Sequence, residues 1–178
     1  MKEEAGPRIS DAGAGDRARL EPILEESFEG WYLRHSKKTL YEIARVRVAE
    51  ADGKAVGLAM LKTLDDGIGY VYYIAVAKAQ RRNGFGGQLL DDALAHFVSI
   101  GARVVYASVE NEQGAGLFAS RGFRRTSFGE FSKRYGLLRA VAMYRSMLAV
   151  PGEVLLQLEM DEGQEGATVS SGASERPN

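Results

Sequence analysis

The chain has 178 residues, a length that fits one domain able to bury a real core. Its formal net charge of −1 lacks the basic excess of a nucleic-acid binder, and its lack of cysteine excludes a disulfide framework, a cysteine nucleophile and a thiolate metal site. The opening MKEEAGPRIS has no apolar run behind its charges, and no segment approaches the roughly 18 apolar residues of a membrane span, so a cytoplasmic protein with no membrane partner is expected.

Residues 7–10 read as a short first strand. From Asp16 to Phe28, Leu20, Ile23, Leu24, Ser27 and Phe28 recur at helical spacing, with Asp16 as the cap, and a second short helix covers Trp31 to Lys38. In 43–50 the period changes to two: Ala44, Val46 and Val48 alternate with Arg45 and Arg47. Asp52-Gly53 signals a hairpin, Val56 to Leu64 returns, Asp65-Asp66-Gly67 turns again, and Tyr70 to Val76 is a third strand of the meander. A long helix follows from about Gly86 to Ile100. Leu90, Leu94, Phe97 and Val98 line its apolar face, Asp91, Asp92 and Ser99 the other, and Gly101 is its left-handed stop.

Val104 to Val109 is a strand, and Glu112 to Arg121 a short helix stopped by Gly122. Phe123–Phe128 and Leu138–Leu148 read as a final strand pair joined by a long loop. This order predicts a mixed α+β sheet in one domain, residues 1–150. Within 151–160, the apolar run Val154 to Leu158 reads as an extra edge strand or a partner-contact segment. Residues 161–178 are nearly free of large apolar side chains, cannot offset the entropy of ordering, and are predicted disordered.

The chemistry concentrates after Val76. Arg81 and Arg82 precede Gly84-Phe85-Gly86-Gly87, and then a helix begins. A helix N-terminus offers unpaired backbone N–H groups and the positive end of a dipole, and glycines let a bulky anion approach closely. The construction suits a diphosphate; the plain alternative is a tight turn flanked by surface arginines. The dinucleotide fingerprint fails because Leu89 stands where a third glycine is needed, and no Gly-Lys-Ser/Thr marks a triphosphate loop.

The stretch VAKAQRRNGFGGQLL resembles the coenzyme-A motif of the GNAT acetyltransferase superfamily, with Arg81, Gly84 and Gly86 at its three fixed positions. Downstream, Asn111 through Gly122-Phe123 is similar to the second signature of that family: an asparagine at a strand end, a short helix, then Gly-Phe. The resemblance covers residues 7–148. It implies a single mixed, mainly antiparallel sheet flanked by helices, and transfer of an acetyl group from acetyl-CoA to a primary amine without a covalent enzyme intermediate. The acceptor would be a protein N-terminus, a lysine or a small amine, and the protein a monomer or homodimer.

The resemblance also assigns cofactor roles. Ile74 and Val76 would pair by backbone with the pantetheine arm, Arg82, Asn83, Gly84, Gly86 and Gly87 would hold the diphosphate through backbone N–H groups, and the Asn111 side chain would reach the pantetheine amides. As a proton-bearing position, seven residues after Asn111, the family often carries tyrosine; this chain has Phe118, which can pack on the cofactor but cannot donate. That departure keeps a second reading open, a non-catalytic acyl-CoA-binding module. Candidates for proton handling are Tyr70 and Tyr72, expected on one face with Ile74 and Val76, and Tyr106 on the facing strand. A tyrosine of ordinary pKa near 10 is a poor base, so an ordered water between them is expected to relay the proton.

Glu110 is the carboxylate nearest this site in sequence and reads as a solvated strand end. His35 and His96 read as surface residues, Ser108 and Ser120 lack triad context, and no residue spacing suggests a metal. Arg124, Arg125, Lys133, Arg134, Arg139 and Arg145 could favour an acidic acceptor, and Glu21, Glu25, Glu26 and Glu29 an amine; both groups read first as solvated surface.

Overall fold

The computed structural model describes residues 8–65, 67–110, 112–150 and 152–160. The predicted disordered tail lies outside the described residues. Among them, seven strands form one sheet: β1 (Arg8–Asp11), β2 (Arg45–Ala51), β3 (Lys54–Asp65), β4 (Ile68–Val76), β5 (Val104–Val109), β6 (Arg124–Thr126) and β7 (Val154–Glu159). The spatial order is β1-β2-β3-β4-β5-β7-β6, and every neighbouring pair is antiparallel except β4 with β5. Helices α1 (Glu21–Ser27), α2 (Gly30–Glu42), α5 (Phe128–Tyr135) and α6 (Leu137–Met147) cover one face, and α3 (Phe85–Ser99) and α4 (Glu112–Ala119) the other.

The meander forms as its turn residues dictate. Asp52 and Gly53 are both left-handed (φ 50° and 73°), the requirement of a two-residue hairpin matched to strand twist. The predicted 16–28 helix is two pieces, a 3-10 segment from Ala14 to Leu20 and then α1. Pro22 in the first turn of α1 lacks an N–H and crowds the preceding turn, so the helix restarts there. Asp16 is not the cap: Gly13 is, and the Asp16 carboxylate accepts from its N–H at 2.9 Å.

The largest correction lies after Phe123. The segment read as a loop and a second strand is α5 and α6. Ser127 and Glu130 form a reciprocal capping box at the start of α5, Ser127 Oγ accepting from Glu130 N at 3.2 Å and Glu130 accepting from Ser127 N at 3.0 Å. In α6, the buried Ala140, Met143 and Met147 recur every three or four residues, a helical period masked by the surrounding apolar residues. The true partner of β6 is β7, and β7 is no edge strand: it sits between β5 and β6, with Leu155 buried under α5 and α6 and Leu156 on the α3 face.

Three apolar clusters result, one beneath α1 and α2, one beneath α5 and α6, and the largest between the sheet and α3 with α4. Phe97 of α3 lies so close to the sheet that a Cβ on Gly69 would fall 2.5 Å from its ring. Val98, expected beside it, faces solvent with 61% of its surface exposed.

One irregularity shapes the site. Met60 of β3 opposes Tyr73, yet the next residue, Leu61, opposes Val71, so Tyr72 is an extra residue bulged out of β4. The alternation therefore reverses. Ile74 and Val76 pack toward α3, whereas Tyr70, Tyr72 and Tyr73 face the side of α1, α2, α5 and α6. The expectation that Tyr70, Tyr72, Ile74 and Val76 share one face is overturned by this single inserted residue.

Candidate active site

Strands β4 and β5 pair only from Ile68↔Val104 to Val71↔Ala107. Past that point β4 continues to Val76, while Ser108 and Val109 of β5 pair with Leu155 and Val154 of β7. A wedge opens between the two parallel strands where the bulge begins. At its mouth lies the glycine-rich loop. Arg82 and Gly84 are both left-handed (φ 68° and 82°), and Gly84 caps α3 with no side chain covering the first turn. The orphan N–H groups of that turn are left for a ligand. A non-glycine residue held at positive φ, as Arg82 is, marks strain of the kind ligand clamps retain.

The loop residues divide their work. The Arg81 guanidinium donates to the Val76 carbonyl at 3.1 Å and the Glu26 carbonyl at 2.8 Å, so it ties the loop to β4 and α1 and does not project as free charge. Arg82 is exposed and supplies that charge. Asn83 donates to Gln80 Oε1 at 3.2 Å. Gly86 has only ordinary contacts around its missing side chain, but a Cβ on Gly87 would fall 2.4 Å from the guanidinium of Arg121. That guanidinium is held by Asp91 at 2.9 and 3.1 Å, so a side chain at Gly87 would have to displace the ion pair that ties α3 to the turn after α4. Phe118 is 6% exposed and stands edge-on to Phe123, ring centroids 5.0 Å apart, within the α3-side core. Asn111 lies outside the described residues.

On the opposite face the bulge gathers an aromatic cluster. Tyr70 and Tyr72 meet edge-on with ring centroids 5.4 Å apart, and Tyr72 and Tyr73 are tilted to each other at 5.2 Å. His35 of α2 stacks on Trp31 at 4.7 Å, and its Nδ1 lies 2.8 Å from the Tyr73 hydroxyl. Burial, foremost, pushes the pKa values of Tyr70, Tyr72 and Tyr73 above the ordinary tyrosine value, with the Glu153 carboxylate adding to the rise in all three. None serves as a base near neutral pH. Tyr106 is removed from contention on geometry: it is fully buried beneath α5, edge-on to Phe131, with its hydroxyl 3.1 Å from that of Tyr135.

The carboxylate that the cluster surrounds is Glu153, the last residue before β7 in the connection from α6. It accepts from the Tyr32 hydroxyl at 2.7 Å, from the Ser108 hydroxyl, and from Val150 N at 3.0 Å. Glu110, the carboxylate nearest in sequence, is exposed at the end of β5. Neither Glu153 nor the participation of His35, Tyr32 and Tyr73 was legible in the sequence. The missed signal was Glu153 itself, the lone carboxylate immediately before an apolar strand-like run.

A cavity of about 640 Å³ opens from this cluster along the edge of β3 left uncovered where β2 begins, lined in part by His35, Lys62, Tyr72 and Leu148. Leu148, whose backbone is left-handed (φ 51°), also borders a second hollow of about 500 Å³ with Trp31 and Val150. The charged groups that suggested acceptor chemistry in sequence are largely engaged elsewhere. Arg134 pairs with Glu159, Arg125 with Glu112, Arg139 with Asp65, and Lys37 with Glu21 and Glu25. Among the described residues no cluster of His, Asp or Glu could hold a metal ion, and no helix is long and apolar enough to cross a membrane.

A splayed parallel strand pair closed by a glycine-rich helix N-terminus defines an acyl-CoA-dependent acetyltransferase. The profile of the acetyltransferase (GNAT) family matches residues 17–123, and the chain belongs to that family. Among solved structures, the ribosomal-protein-S18-alanine N-acetyltransferase of Escherichia coli is similar with a TM-score of 0.66 and 16% identity, over 92% of this chain and 98% of that one. N-acetylglutamate synthase of Neisseria gonorrhoeae, complexed with coenzyme A and L-arginine, gives a TM-score of 0.65 at 22% identity; 89% of this chain covers only 34% of that one. A Bacillus subtilis acetyltransferase in complex with CoA gives 0.64 at 19% identity, over 86% and 99% of the two chains. No curated protein sequence matches.

Proposed function

We propose that the protein transfers an acetyl group from acetyl-CoA to a primary amine, with Glu153 as the group that receives the amine's proton. The observation that carries this is the position of Glu153: a half-buried carboxylate beside the β4–β5 wedge, fixed by Tyr32, Ser108 and Val150 N. Bound in the wedge, acetyl-CoA supplies a thioester carbonyl as electrophile and a thiol as leaving group. The residues present fit it. The uncapped first turn of α3, with Arg82 and Gly84 left-handed ahead of it, suits the diphosphate. Backbone N–H groups of Arg82, Asn83, Gly84, Gly86 and Gly87 would hold it, the free edge of β4 along Ile74 and Val76 would meet the pantetheine arm, and Asn111 would reach its amides.

Chemistry then needs position and a proton path. An amine entering from the α2–α6 side arrives as an ammonium ion, which the Glu153 carboxylate attracts and orients. Three hydrogen bonds occupy part of the acceptor capacity of that carboxylate and leave lone pairs for the substrate N–H. Glu153, directly or across one water, first takes a proton from the ammonium so that the lone pair of the neutral amine can attack the thioester carbonyl; as the N–C bond forms and the C–S bond breaks, the nitrogen gives up its second proton to solvent and the sulfur leaves as thiolate. Tyr72 and Tyr73 remain protonated and can donate or hold that water. Phe118 contributes packing and no proton. A thiol with a pKa near 8.5 departs as thiolate without obligatory help.

The test joins binding and turnover. Acetyl-CoA should raise the melting temperature where NAD and ATP do not, and an amine panel should release free CoA thiol. Glu153→Gln should lower kcat by roughly 10²–10⁴ while keeping the acetyl-CoA shift. Full turnover by that variant would remove Glu153 from the mechanism, and an acetyl-CoA shift without acetylation of any amine would refute transfer.

A further inference from the structure

The cavity along β3 has a charge pattern that the reaction does not explain. Its charged lining comprises Lys38, Arg45 and Lys62 against Glu42 alone. Two of these cations are answered within the protein. Arg45 donates to both oxygens of Asp11 at 2.9 Å, and Lys38 lies 3.8 Å from Glu42. Lys62 differs. It is half-buried, its ammonium donates to the Ser146 carbonyl at 3.1 Å and sits 6.0 Å from the centre of the Tyr72 ring, and among the described residues no carboxylate pairs with it.

An ammonium has three donors, and holding one half-buried without a counter-ion is costly unless something answers it. Its position says what. Lys62 opposes Tyr70 across the β3–β4 ladder, so it projects from the face that carries the tyrosines, and it shares Tyr72 as a neighbour with Glu153. Glu153 does not itself line the cavity but neighbours Tyr72, which does, so a molecule reaching from Glu153 past Tyr72 into the cavity would meet a carboxylate at one end and the Lys62 ammonium at the other, with apolar surface from Tyr72 and Leu148 between. That is the complement of an amine that also carries an acid.

We infer that the acceptor is a small amine bearing a carboxylate, and that Lys62 reads the carboxylate. The inference rests on the acetyl-transfer reading above and adds the class of acceptor. Its volume is in the range of pockets that enclose a small molecule whole.

The experiment is a comparison of acids with their own carboxamides: alanine with alaninamide, 4-aminobutyrate with 4-aminobutyramide, and 6-aminohexanoate with its amide, at saturating acetyl-CoA. At least one pair should show kcat/KM higher for the acid by roughly tenfold or more, as a charge-assisted contact provides. The ratio should collapse toward one in Lys62→Met and persist in Lys62→Arg. Amides used as well as acids throughout, or a ratio that survives Lys62→Met, would overturn the inference while leaving acetyl transfer standing. If no acceptor turns over, acetyl transfer is what fails, and calorimetric binding of the same acids and amides decides the cavity separately. Acids bound by the wild type and released by Lys62→Met support the carboxylate site; equal binding of acid and amide rejects it.

Discussion

The two faces of β4 are built in opposite ways. On the α3 side, the proposed cofactor mouth comes from one continuous stretch, Val76 to Gly87, and the atoms it offers are mostly backbone. On the other side, the acceptor region is assembled from side chains of His35 and Tyr32 on α2, Lys62 on β3, Tyr72 and Tyr73 on β4, Ser108 on β5 and Glu153 ahead of β7. A backbone site is written in local sequence because only certain residues permit its conformation. A side-chain site depends on the register and topology that bring distant segments together.

The sharpest way to break this contrast is at Phe118, where the cofactor-side motif lacks the tyrosine that the family often carries. If it is a packing residue, Phe118→Ala should cost about 3–5 kcal/mol of stability, read by urea unfolding, as a large core ring does when removed. A loss below about 1 kcal/mol, the scale of an ordinary surface change, with weakened acetyl-CoA binding would instead place the ring against the cofactor.

Gly84 tests the backbone half directly. Its φ of 82° is open to glycine and strained for a side chain, and no atom lies closer than 3.8 Å to a Cβ placed there. Gly84→Ala is therefore limited by conformation alone and should cost about 1–2 kcal/mol of loop geometry, hence roughly five- to thirtyfold in acetyl-CoA affinity by calorimetry. Turnover at saturating acetyl-CoA should change far less, since the acceptor side is untouched. An unchanged affinity would mean that the loop does not hold the cofactor in this conformation.

The same division explains what was legible beforehand. The meander, its Asp52-Gly53 turn, α3 and the loop glycines could be read because each rests on a local rule. The bulge at Tyr72 could not, since nothing in Tyr70-Val71-Tyr72-Tyr73 says that one residue is extra; the opposing strand decides it. Strand β7 is apolar in sequence, but its position between β5 and β6 follows from α5 and α6, segments that the sequence alone presents as a long loop and a strand. Glu153 and His35 were passed over for the same reason. Their partners lie 45 and 38 residues away in Ser108 and Tyr73.

The acceptor side also carries a titration absent from the loop. Burial, first, and then Lys38 lower the pKa of His35 below its ordinary value of 6.5, with Glu42 opposing; Tyr73 and Thr39 meet its Nδ1. The fold thus prefers the neutral ring. The unfolded chain binds the proton more readily, so the contribution is fully present above about pH 6.5 and is lost as pH falls through that value toward the folded one. The ring is only partly buried, and solvent screening keeps the effect small. His96 is shifted the same way, by burial and then Arg45, so wild-type stability should fall between pH 7.5 and pH 5.5 and His35→Gln should remove only part of that fall. A His35→Gln protein with the full wild-type slope would show that His35 is not held neutral by its aromatic neighbours.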